Sequence, residues 1–162
     1  MHPINFSISS NSPEQTKFSG RILGQLSHPG ILILLDGEMG VGKTTFVQGL
    51  LQGLDSEEIA RSPTFIIITE YSSRIKLFHV DLYRITDEDK IYEIGLDDCI
   101  NENDICVIEW PNKYPNLYEL PHIKINIEHT KNQKRLITFS STEKKFNQLL
   151  KKFSNKTKEK AI

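Results

Sequence analysis

The chain has 162 residues, 38% hydrophobic and 25% charged, a size and balance that fit one folded domain and exclude a disordered or fibrous chain. Its net charge of −1 excludes a global attraction to polyanions, so any nucleic-acid contact must come from a local patch. Met1-His2-Pro3-Ile4-Asn5 lacks the basic and apolar parts of a signal peptide, and the longest apolar run, Ile31 to Leu35, is too short to cross a bilayer; a cytoplasmic protein without membrane contact is expected.

Ser12-Pro13-Glu14-Gln15 reads as a capping box with Pro at the first helical position, and Phe18, Ile22, Leu23 and Leu26 supply an apolar stripe, so the pattern predicts a helix over about 13–26. Pro29-Gly30 ends it. Ile31 to Leu35 shows no polar alternation, as in a strand covered on both faces. Gly37 to Gly42 then forms a loop, and Lys43 to Leu54 a helix that turns Phe46, Val47, Leu50, Leu51 and Leu54 inward. Phe65 to Tyr71 and Ile75 to Val80, separated by Ser72-Ser73-Arg74, predict an antiparallel hairpin and hence a mixed sheet.

Thr86 to Asp89 caps a short helix that Gly95 ends, and Ile105 to Ile108 is a second buried strand with Glu109 at its end. Ile123, Ile125 and Ile127 alternate with polar residues, Leu136 to Phe139 makes a further strand, and a last helix carries Phe146, Leu149, Leu150 and Phe153. The expected whole is a single-domain α/β fold, a mixed sheet flanked by helices, over 1–153, with a mobile Lys-rich tail over 154–162. Seven lysines fall between Lys144 and Lys160; they read first as a solvated helix face and second as a contact for a partner or RNA. Cys99 and Cys106 have neither the CxxC nor the Cys/His spacing of a zinc or redox site and are taken as reduced packing residues.

Gly37, Gly42, Lys43 and Thr44 match G-x-x-x-x-G-K-[ST] between a strand and a helix, the context that turns a motif match into a phosphate cradle. Glycines let successive N–H groups face phosphate oxygens, and the helix N-terminus adds its positive dipole end. The nucleotide-binding set is Gly37, Glu38, Met39, Gly40, Val41, Gly42, Lys43, Thr44 and the adjoining Thr45. Lys43 bridges the β- and γ-phosphates, and the Thr44 hydroxyl is a Mg²⁺ ligand. The cation also needs a carboxylate at the end of a neighbouring strand. Glu109 follows the cleaner hydrophobic run and is assigned to it, leaving Asp81 to orient the attacking water or the metal's water shell, with a turn carboxylate as the plainer alternative. His79 reads as a packed or solvated residue, and Trp110 stays open between core and ring stacking. Ser62-Pro63-Thr64 alone reads as an ordinary turn.

The loop together with Ser62-Pro63-Thr64-Phe65, His79-Val80-Asp81-Leu82-Tyr83-Arg84 and Val107-Ile108-Glu109-Trp110-Pro111 resembles the bacterial TsaE (YjeE) family, the ATPases of tRNA threonylcarbamoyladenosine biosynthesis. The resemblance runs from about Glu14 to Phe153. It implies ATP on the loop, Mg²⁺ held by Thr44 and Glu109, Asp81 needed for hydrolysis, and Ser62 to Thr64 acting as a switch. Thr16 and Arg135 are implied beside the base, although Gln15 stands where a Glu is common. Implied partners are the TsaB and TsaD subunits, which transfer the threonylcarbamoyl group and through which tRNA is met indirectly; the ATPase is weak until they dock. A small nucleotide or nucleoside kinase is the alternative, weakened because Arg21, Arg61, Arg74, Arg84 and Arg135 are scattered rather than gathered into a lid. A GTP-binding switch is weaker, because Asn112-Lys113-Tyr114-Pro115 lacks the final Asp of a guanine-reading segment.

Overall fold

Ile31 to Leu35 is apolar at every position, and a strand of that kind is stable only with both faces covered. In the computed structural model, which describes residues 3–62 and 66–160, it forms most of β2 (Ile31–Gly37), the middle strand of a seven-stranded sheet. The others are β1 (Ile4–Ser10), β3 (Ile68–Tyr71), β4 (Leu77–Asp81), β5 (Ile105–Glu109), β6 (Ile123–His129) and β7 (Arg135–Ser141), in spatial order β1-β7-β6-β2-β5-β4-β3. β2 runs parallel to β5 and β6, and β4 parallel to β5. β3 and β4 form the expected antiparallel hairpin, and β1, β7 and β6 close the other side antiparallel. The fold is the expected single α/β domain with a mixed sheet.

Helices α1 (Pro13–Leu26), α2 (Lys43–Gly53) and α5 (Asn147–Glu159) cover one face; the short helices α3 (Asp89–Glu93) and α4 (Leu96–Cys99) cover the other. Alternate residues of β2 leave by opposite faces: Ile31, Ile33 and Leu35 pack with Phe46, Leu50 and Phe153, whereas Leu32 and Leu34 pack with Val80, Ile91 and Leu96. The expected cap forms in modified shape: Ser12 Oγ accepts from the Gln15 N–H at 3.2 Å, while Gln15 Oε1 reaches one residue past the cap and accepts from the Asn11 N–H at 2.7 Å.

What docks α1 on α2 is not the apolar stripe alone. Gly20 and Gly24 on one helix face Gly49 and Gly53 on the other, and the backbones touch: a Cβ at Gly20 would lie 2.1 Å from Phe46 O, and one at Gly49 1.8 Å from Lys17 O. Phe18, expected on the buried face, is 37% exposed, because this glycine seam has turned α1 away from it. Two further points differ from the sequence expectation. β1 was not anticipated. Helix α5 does not stop at Phe153 but continues through Ser154 to Glu159, so those residues of the expected tail are helical. Pro63, Thr64 and Phe65 of the expected switch lie outside the described residues, although Ser62 is described.

Candidate nucleotide and metal site

β2 ends at Gly37 and α2 begins at Lys43, so the phosphate-cradle motif occupies the strand-to-helix turn. The turn needs glycine at two places in particular. Gly37 has φ 147° and a Cβ there would lie 2.6 Å from Ile127 O; Gly42, the residue capping α2, has φ 119°. Val41 is wholly buried and anchors the loop, while Met39 at the tip is 67% exposed.

Lys43 reaches back over this loop. Its Nζ donates to Gly37 O at 2.5 Å and to Glu38 O at 2.9 Å, and lies 4.6 Å from the centre of the Trp110 ring. Burial pushes its pKa down, against the pull of Glu109, Asp81 and Asp36, so the ammonium is poorly hydrated and available to an anion at the loop.

The parallel pairing of β4 and β5 sets Asp81 directly opposite Glu109. Both acids therefore stand at the C-terminal end of the sheet beside the loop, where ligands of open α/β sheets collect. Glu109 is buried, with its Oε1 2.8 Å from His79 Nε2. Asp81 is half-buried and its Oδ1 accepts from the Tyr83 N–H at 2.9 Å. Burial lifts the Asp81 pKa above its ordinary 3.8, and the nearby Glu109 charge adds to the rise; the Tyr83 N–H, His79 and Lys43 work the other way.

These groups line one cleft of 530 Å³, bounded by Met39, Gly40, Gly42, Lys43, Thr44, Thr45, Ser62, Asp81, Tyr83, Arg84, Glu109 and Trp110. A second cavity, of 180 Å³, lies against Gly30, Ile31 and Cys106, away from every expected site residue. The first cleft fits Mg²⁺ carried by a phosphate ligand. Among the described residues no three His, Cys, Asp or Glu side chains gather as a metal site, but Mg²⁺ with a nucleotide usually takes only one or two carboxylates, the rest of its shell being phosphate and water.

Thr16 and Arg135 do not line that cleft; they meet at Gly42, where a Cβ would lie 3.3 Å from Arg135 Nε and 3.7 Å from Thr16 Cγ2. Arg135 Nε donates to Val41 O at 2.6 Å, and the wholly buried Thr16 shares a 2.8 Å hydrogen bond with Ser10. As they stand, Arg135 braces the phosphate loop through Val41 O, and Thr16 packs beside it. Sequence reasoning did not find Tyr83 as a cleft residue and gave His79 no role. Trp110 packs partly against the core and partly faces the cleft: its ring is tilted 50° to that of Tyr83 at 4.9 Å, on a left-handed backbone of φ 56° that is costly for a bulky side chain.

The model of the family described as threonylcarbamoyl adenosine biosynthesis protein TsaE matches residues 10–137. The chain belongs to the TsaE family. Proteins named tRNA threonylcarbamoyladenosine biosynthesis protein TsaE are similar along most of its length: one from Bacillus subtilis is 33% identical over 88% of this chain and 90% of its own. One from Treponema pallidum is 36% identical over 73% and 86%, and one from Haemophilus influenzae 31% identical over 86% and 88%. The crystal structure of Bacillus subtilis YdiB superposes with a TM-score of 0.80 at 28% identity, covering 96% of this chain and 97% of that one. The fold and the family thus agree, and the family's named role is in tRNA threonylcarbamoyladenosine biosynthesis. Among the described residues no helix is long and apolar enough to cross a membrane.

Proposed function

We propose that this chain is a Mg²⁺-dependent ATPase that serves tRNA threonylcarbamoyladenosine formation in the cytoplasm, acting with TsaB and TsaD rather than transferring the group itself. The observation that carries the reading is the convergence of Lys43, Thr44, Asp81 and Glu109 on one cleft at the mouth of a glycine-built phosphate loop. The reaction breaks the bond between the γ-phosphorus and its bridging oxygen; a water oxygen takes that place, and ADP, phosphate and a proton result.

Loop N–H groups and the α2 N-terminus hold the phosphates. Lys43 exchanges the Gly37 and Glu38 carbonyls for the β- and γ-phosphate oxygens, an exchange its poor hydration favours. Thr44 and Glu109 would hold Mg²⁺, which when bound neutralises charge on the phosphate oxygens. Asp81 orients the attacking water. Thr16 and Arg135 keep the loop in register beside the base. Among the described residues Arg84 is the one arginine lining the cleft and no arginine cluster forms a clamp there, so water is favoured over a kinase acceptor, and turnover is slow until TsaB and TsaD dock beside Ser62.

The test is phosphate release from ATP and from GTP, with and without TsaB and TsaD. The proposal expects Mg²⁺-dependent release, preference for ATP, and acceleration by the two subunits. Equal rates alone and in the complex would remove the partner-dependent step.

A further inference from the structure

His79 is an unusual occupant of its place. It lies at the middle of β4, paired with Val107 of β5, and has no exposed surface. Its ring packs against that of Tyr71, with centroids 6.4 Å apart. Nδ1 is buried and, among the described residues, has no hydrogen-bond partner. A side chain needed only to fill that volume could be Leu or Phe, which would leave no polar atom unsatisfied. The other nitrogen explains the histidine, since Nε2 is 2.8 Å from Glu109 Oε1.

We propose that His79 is the positioning residue for Glu109: it donates from Nε2 to Oε1, fixes the rotation of the carboxylate, and leaves Oε2 as the oxygen that ligates the cation. This rests on the metal role proposed for Glu109. Three features require it. His79, Asp81 and Glu109 share one side of the sheet, because His79 and Asp81 are two residues apart and Asp81 is in register with Glu109. Nδ1 favours the tautomer protonated at Nε2, because among the described residues a proton on Nδ1 would be buried without an acceptor and would set the Nε2 lone pair against Oε1. Among the described residues Oε2 accepts no hydrogen bond, while Glu109 lines the cleft with Thr44 and Asp81. Residues that hold metal ligands in this way typically change metal affinity by about 10- to 100-fold when removed.

The experiment is calorimetric titration of the full-length protein with ADP, once with Mg²⁺ and once with EDTA, in wild type and in His79→Gln, His79→Asn and His79→Phe. A Gln amide places a donor near the position of Nε2, and an Asn amide near that of Nδ1. The expected result is a Mg²⁺-dependent gain in wild type and His79→Gln, and a gain about tenfold smaller or less in His79→Asn and His79→Phe, with EDTA affinities alike throughout. An equal gain in Gln and Asn variants overturns the positioning role, even if His79→Phe fails to fold. A wild type with no Mg²⁺-dependent gain overturns the metal assignment itself and is thereby distinguished from the first failure.

Discussion

The two sides of the cleft are built on different energetic terms. On the phosphate-loop side most features agree with their neighbours: α1 and α2 touch backbone to backbone through their glycines, Val41 is buried, and Lys43, although burial lowers its pKa, donates to two loop carbonyls. On the acid side the protein holds costs: Asp81 is lifted in pKa by burial, Trp110 sits on a left-handed backbone, and His79 carries an orphaned nitrogen. Binding can be prepared in advance by a rigid loop, whereas two carboxylates held opposite each other, as Asp81 and Glu109 are, repel until a cation on the proposed site offsets them. Strain of this sort is offset by ligand.

The largest expected effect on binding is on the loop side. Lys43→Ala removes a charged donor from two phosphates, and nucleotide affinity should fall by about 10- to 100-fold, read by calorimetry with far-UV dichroism as the check on folding. Next in size is Gly49→Ala, which drives a methyl into Lys17 O and should lower stability by about 1–3 kcal/mol in urea unfolding, with weaker nucleotide binding because α2 starts at the loop. Stability unchanged within error would mean that α1 and α2 are not locked as described.

Asp81→Asn should have the opposite sign. A carboxyl whose folded pKa is raised contributes stability below its ordinary 3.8 and loses that contribution as pH rises through the folded value, so at neutral pH the ionised Asp81 is a net cost. The variant should therefore melt above wild type at pH 7 without ligand, with the difference vanishing in acid. A lower melting temperature at pH 7 would erase the contrast between the two sides. Smallest is Phe18→Ser: the residue is 37% exposed and, among the described residues, Lys160 Nζ lies 5.4 Å from its ring, so the change should stay within about 1 kcal/mol.

Much of this was legible in the chain. Periodicity gave α1 its bounds, and the apolar runs gave β2 and β5, because buried strands and amphipathic helices impose their patterns locally. Ile4, Phe6 and Ile8 also alternate, and that signal was available for β1, but a short edge strand is stabilised by its distant partner β7 and is easily passed over. The glycine seam was hidden for a different reason: four glycines at matching spacing say little until two helices are known to face each other. Asp81 and Glu109 were both visible at the ends of apolar runs, yet their opposition depends on parallel register, and the His79 contact follows only from that register. Helix α5 outran its apolar stripe because Lys and Glu in its last turns are good helix formers that need no apolar partner, while Thr157 satisfies its hydroxyl on Phe153 O at 3.1 Å.

The central claim is that Asp81 acts on the water while the loop holds the nucleotide, and single-turnover phosphate release from Mg-ATP in the presence of TsaB and TsaD tests it directly. Asp81→Asn should bind ATP as wild type does and release phosphate at least about 100-fold more slowly, the scale expected when a group that positions or deprotonates the nucleophile is lost. Wild-type release by a fully folded Asp81→Asn protein would contradict the account.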